Sequence, residues 1–235
     1  MDKQDLRERV WDALEESGVA RFPFPPHGRI PNFEGATAAA DRLAELPEWR
    51  GAGTLKANPD APQLPARRRA LDEGRTVYMA VPRLADERCF YRLDPAALDD
   101  TDAAATVSNV DDHAERVGPT AVASVDLVLV GSVAVTTDGA RVGKGEGYSD
   151  LEFAVLTELG LVDSETTVAT TVHEQQVREE SVPVDDHDVP LDIVVTPERV
   201  VRTDAPHERP TGIDWDALSD DRIAEIPVLE RLRRE

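Results

Sequence analysis

At 235 residues with 40% apolar content, the chain can bury one substantial core, and a single α/β domain of this length is ordinary. Its 47 acidic against 26 basic residues leave a formal net charge of −21, which disfavours binding to nucleic acid or anionic membranes. The single Cys89 excludes an intrachain disulfide and a multi-cysteine metal site, and with no adjacent histidine it reads as a buried structural thiol. Only three of the basic residues are lysines, a balance that suits a cytoplasm at multimolar salt, so a halophilic source is expected. The first residues are charged, and no apolar run approaches the roughly 20 residues of a membrane helix. A soluble cytoplasmic protein is expected.

Leu6, Val10, Ala13 and Leu14 repeat at helical spacing, and Gly18 stands where a C-terminal stop belongs. Residues 21–34, with prolines 23, 25, 26 and 31, are expected to wrap the surface as a fixed loop without regular structure. A helix over 35–46, a strand over 54–57, a helix over 62–73 and a strand over 76–81 give the alternation of a parallel sheet. The acid-rich stretch 94–115 reads as loop with short helices. Val125 to Val130 is a nearly continuous apolar run, the form of a strand buried on both faces. Strands over 166–172 and 191–195 complete the sheet, and the chain from 198 to 235 reads as a polar tail with at most a short helix or two.

Between the apolar run and a helix predicted over 148–159 lies Gly143-Lys144-Gly145-Glu146-Gly147-Tyr148-Ser149-Asp150, three alternate glycines around a lysine. Glycine lets backbone approach a ligand closely, and the amides opening a helix favour an anion. The spacing is neither the Walker pattern nor the dinucleotide fingerprint, and by itself it serves a structural turn as well as a phosphate loop. The order strand, glycine loop, helix favours the second reading, because ligands of open α/β sheets sit at the carboxyl ends of strands.

The run Asp126 to Val130, then Gly139, Arg141 and the Gly143 to Asp150 loop, resembles the 5-formyltetrahydrofolate cyclo-ligase family. Lys3-Gln4-Asp5-Leu6-Arg7 is similar to that family's nucleotide-contacting helix, and Val182 to Asp188 resembles its segment ending in a metal-associated aspartate. Arg29 to Phe33 and the loop itself look closer to its methenyltetrahydrofolate synthase domain-containing branch. The chain departs from the family pattern at Ser149, which replaces a tyrosine, at Gly131-Ser132, and at Asn58 to Gln63, which lacks the usual glutamate-threonine pattern.

The resemblance implies a three-layer α/β domain over residues 1–197, with a mainly parallel sheet of the NagB/ribose-5-phosphate-isomerase/CoA-transferase-like type. It implies ATP and Mg²⁺ as cofactors and a small-molecule folate as substrate, with ATP-dependent closure of 5-formyltetrahydrofolate to 5,10-methenyltetrahydrofolate. Lys3, Arg7, Gly143, Lys144, Gly145, Glu146, Gly147 and Tyr148 would then bind nucleotide. Lys144 and Arg141 would stabilise charge, Arg7 and Tyr148 would reach substrate, and Asp150 and Asp188 would serve the metal. On the residues alone, Lys3 and Arg7 read better as a solvated pair neutralised by neighbouring acids; Lys144 could be a surface partner of Glu146, and Tyr148 serves equally as a core aromatic. A non-catalytic nucleotide- or folate-binding protein of the same fold is the other reading.

Overall fold

The computed structural model describes residues 2–204 and 208–234. The opening helix α1 (Lys3–Glu16) is N-capped by the Asp2 carboxylate and buries Leu6, Val10, Trp11 and Leu14. Short strands β1 (Ala20–Arg21) and β2 (Asn32–Phe33) pair across the proline-rich arm, so the ends of that arm form a ladder that the proline content concealed. Next come α2 (Ala36–Ala44), α3 (Pro47–Gly51), β3 (Thr54–Ala57), α4 (Leu64–Asp72) and β4 (Thr76–Ala80). After β5 (Phe90–Leu93), α5 (Thr101–Ala104), α6 (Val110–His113) and β6 (Glu115–Val117) the chain returns to the centre as β7 (Leu127–Val130). It continues through β8 (Ala134–Thr136), β9 (Arg141–Val142), α7 (Tyr148–Glu158), β10 (Thr167–Thr171), β11 (Val177–Arg178) and β12 (Ile193–Val195). An edge strand β13 (Val200–Arg202) and helices α8 (Asp220–Glu225) and α9 (Pro227–Leu232) follow.

The main sheet has the order β13-β12-β10-β7-β3-β4-β5-β6. Its centre, from β12 to β4, is parallel, and its edges are antiparallel. Alternation along β7 explains the layers: Leu127 and Leu129 face the cluster with α2 and α4, while Val128 and Val130 face the cluster with α7. This is the three-layer, mainly parallel architecture expected. A third cluster joins α1 to a smaller sheet, β11-β8-β9, through Val10, Trp11, Ala134 and Val142.

Among its described residues, the segment from 198 onward forms β13 and the two short helices expected there, α8 and α9. β13 pairs antiparallel with β12, and Ile223, Ile226, Val228 and Leu229 are buried against the α7 face. Ile226, extended between α8 and α9, and Leu229 on α9 sit beside Ile223 in the same cluster.

Candidate active site

β3 leads to its neighbour β4 on one side, whereas β7 leads to β10 on the other, so the strand order reverses between β3 and β7. Such a reversal opens a crevice at the carboxyl ends of the strands. A cavity of about 540 Å³ lies there, floored by Asn58 and Gly131 from the ends of β3 and β7 and walled by the glycine loop and α1. Its lining carries five cationic side chains against six carboxylates, in a chain whose acids outnumber its bases 47 to 26.

The glycine loop and α1 meet directly. Arg7 Nε donates to the Gly143 carbonyl at 2.7 Å, and at Gly145, with φ +104°, an added Cβ would lie 3.4 Å from the Arg7 guanidinium carbon. A side chain there would strain the backbone and crowd the arginine. Lys3 ion-pairs with Asp185 at 2.7 Å and with Asp188 at 2.5 Å, and Lys144 pairs with Glu146 at 2.7 Å. Burial alone would lower the Lys3 ammonium, but the hydrogen bonds it donates to Asp185 and Asp188 outweigh that and hold it above its ordinary value. The same contact holds Asp185 below the usual carboxylate range. Arg7 is lowered by burial, opposed by Asp188.

Of the residues expected to serve the site, Lys3, Arg7, Arg141, the Gly143 to Tyr148 loop, Asp150 and Asp188 all line this one cavity. Arg141 is buried, donates to the Gly131 carbonyl at 3.0 Å and ion-pairs with Asp150; its Nε is buried without a partner among the described residues. Asp150 also accepts from the Val189 amide at 3.1 Å. Its carboxylate therefore ties β9, α7 and the 185–189 loop together. The groups closest to a metal-ligand arrangement are Asp185, His187 and Asp188, whose ligand atoms lie within 4.8 Å of one another. Tyr148 has the Arg222 guanidinium 4.1 Å above its ring and accepts a 2.7 Å hydrogen bond from it, so one ring face is covered.

The floor was not foreseen. Asn58 Oδ1 accepts from the Gly131 amide at 3.3 Å and the Ser149 hydroxyl at 3.2 Å, and Asn58 Nδ2 donates to Glu152 at 3.4 Å. The three positions that depart from the family pattern thus meet at one amide. Beneath them Lys56 on β3 ion-pairs with Glu152 on α7, with both side chains buried. Arg67 is buried with hydrogen bonds to the carbonyls of Asn58, Pro59, Asp60 and Ala105, and burial lowers its guanidinium to about 10. Gly131 is required here, since an added Cβ would lie 2.8 Å from Asp60 Oδ2 and 2.9 Å from Ile30. Asp60 accepts no side-chain hydrogen bond among the described residues, and burial raises its carboxyl, opposed by Lys144. At the rim, Arg83 and Leu84 adopt φ of 60° and 52°, and Arg83 makes no hydrogen bond or ion pair among the described residues. One signal for the floor was available: all three lysines of the chain, Lys3, Lys56 and Lys144, stand in or directly under this cavity, while the other cationic side chains are arginines.

The residues present suit a phosphorylated ligand. Three side-chain cations and glycine backbone converge on one wall, with a buried guanidinium nitrogen left unpaired beside them. The fold and site define an α/β protein with a glycine loop lining a cavity at the point of strand reversal. The sequence matches the 5-formyltetrahydrofolate cyclo-ligase family over residues 1–197, and the chain belongs to that family.

It is 43% identical over 99% of its length to the methenyltetrahydrofolate synthase domain-containing protein of Mus musculus, and 41% identical over its full length to that of Bos taurus. It spans 63% of the length of both relatives. Among solved structures it is similar to the NMR structure of Aquifex aeolicus 5,10-methenyltetrahydrofolate synthetase, with a TM-score of 0.56 and 22% identity over 93% of this chain and 100% of that one. That likeness establishes the shared fold.

Proposed function

We propose that the chain catalyses ATP-dependent closure of 5-formyltetrahydrofolate to 5,10-methenyltetrahydrofolate. The observation that carries this reading is the convergence of Lys3, Arg7, Lys144 and the glycine loop on one cavity at the strand reversal, within the matched family region. ATP, when bound, would supply the phosphoryl group that turns the formyl oxygen into a leaving group, with Mg²⁺ against its phosphates. Lys3 and Arg7 would hold the phosphates from α1, and the loop amides would receive them from the opposite side. Lys144 would neutralise charge during transfer, because its ammonium is half-exposed and, among the described residues, is held by Glu146 on the same loop. Arg141 would fix the loop base through Gly131 and Asp150. Asp188, beside Asp185 and His187, is the acid best placed for the metal, with Asp150 behind it. The protein's part is positioning and charge neutralisation, with no covalent step on the enzyme.

A second reading, a nucleotide- or folate-binding protein without turnover, draws on the floor. The Asn58 amide is engaged by Gly131, Ser149 and Glu152, which leaves it little capacity to orient a pterin. A spectrophotometric assay for methenyltetrahydrofolate, run with Mg·ATP in multimolar KCl, separates the two. ATP-dependent product that disappears in Lys144→Ala supports the enzyme. Folded protein that binds ATP and forms no product supports the binder.

A further inference from the structure

The matched family region ends at residue 197, yet a side chain from beyond it reaches the glycine loop. Arg222 lies on α8, whose first turn is capped by Ser219 Oγ accepting from the Arg222 amide at 3.2 Å. Ile223 and Ile226 anchor that helix in the core shared with α7. From this base the guanidinium lies 4.1 Å over the Tyr148 ring, donates from Nη1 to the phenol oxygen at 2.7 Å and donates from Nη2 to the Glu146 carbonyl at 3.2 Å. Its remaining charged neighbour, Glu225, is 4.0 Å away.

Gly147, the residue before α7, is left-handed at φ 71° and offers no side-chain cap, so no N-cap side chain ties the first-turn amides of α7 to the loop. A second cavity, between α7 and residues 208–219, shares Glu146 and Gly147 with the first. The loop is therefore a thin partition with open space on both sides. Planar bidentate donation combined with stacking on an aromatic face suits arginine for holding one backbone geometry, and a lysine can supply only part of it.

We propose that Arg222 is a positioning residue that holds residues 146–148 in their ligand-receiving geometry from outside the family core. The ligand consequence rests on the nucleotide reading above; the bracing does not. The test uses the full chain as wild type, Arg222→Ala and Arg222→Lys. Amide hydrogen exchange without ligand should quicken about tenfold at residues 151–153 in Arg222→Ala, the turn whose first amide, Leu151, donates to the Gly147 carbonyl, with central strands unchanged and partial recovery in Arg222→Lys. In parallel, calorimetric affinity for Mg·ATP should fall about tenfold in Arg222→Ala, and in the assay KM for ATP should rise more than kcat falls. Exchange over residues 151–153 equal to wild type in Arg222→Ala overturns the proposal, as does an exchange increase spread uniformly over the chain. Wild-type protein that binds no Mg·ATP would overturn the nucleotide reading, and the exchange pattern would still decide the role of Arg222.

Discussion

The two sides of the cavity are built by opposite means. The wall made by α1 and the glycine loop consists of surface cations, each already resting on a nearby acceptor: Lys3 on Asp185 and Asp188, Arg7 on the Gly143 carbonyl, Lys144 on Glu146. The floor and far rim consist of buried polar groups and strained backbone: Lys56 with Glu152, the Asn58 amide, Asp60, and left-handed Arg83. Half-exposed pairs contribute little to folding and exchange partners easily, whereas buried pairs hold shape and are costly to break. The cationic wall is thereby free to exchange its partners, and the floor is fixed.

The largest effect should come from the floor. Lys56→Met leaves Glu152 buried without its ammonium and should cost about 3–5 kcal/mol of stability in denaturant titration. Lys56→Met with Glu152→Leu should regain most of that loss, and a single mutant within about 1 kcal/mol of wild type would remove the distinction between the two sides. Lys144→Ala tests the opposite wall: turnover should fall by about 10²–10³ while the denaturation midpoint stays put. A smaller effect is expected at the rim, where Arg83→Gly relieves a left-handed side chain and should stabilise the fold by about 1 kcal/mol, together with weaker substrate binding measured as a higher KM.

Asp60→Asn should act most weakly, and only over part of the pH range. Burial raises the Asp60 carboxyl in the folded state, so the folded protein holds that proton more tightly than the unfolded chain. The group's contribution to stability is therefore full below the unfolded pKa and is lost as pH rises through the folded value. Melting temperatures of the mutant should exceed wild type near pH 7 and converge with it below about pH 4. A gain that persists in acid would show that packing, and not charge, sets the effect.

The cationic wall drew notice because its parts are local, a strand, a glycine loop and a helix in sequence order, and because the family resemblance singled out Lys3 and Arg7, one helical turn apart. The central strands were legible for a related reason, since β7 is apolar at every position and must be covered on both faces. The floor was not, because its hydrogen bonds join residues 58, 131 and 149, and no periodicity links those positions. Ser149 and Gly131, seen in sequence as separate departures from the family pattern, share one acceptor in the fold. Edge strands β5 and β6 and the small β8-β9-β11 sheet also escaped reading, being four residues or fewer each. The scarcity of lysine was visible throughout, but it was read as a response to salt and not as a mark of where the three retained lysines stand.

The ion pair between Lys3 and Asp188 joins residues 185 positions apart. Closing so long a loop costs entropy that must be recovered from contacts formed after the intervening strands have docked. A chain emerging from the ribosome would carry its glycine loop well before Asp188 appeared, and α1 would wait, its lysine unmatched, for nearly the whole domain to be made. Ligand-ready geometry at this wall is thus one of the last properties the growing chain can acquire, which separates the birth of the fold from the birth of the site.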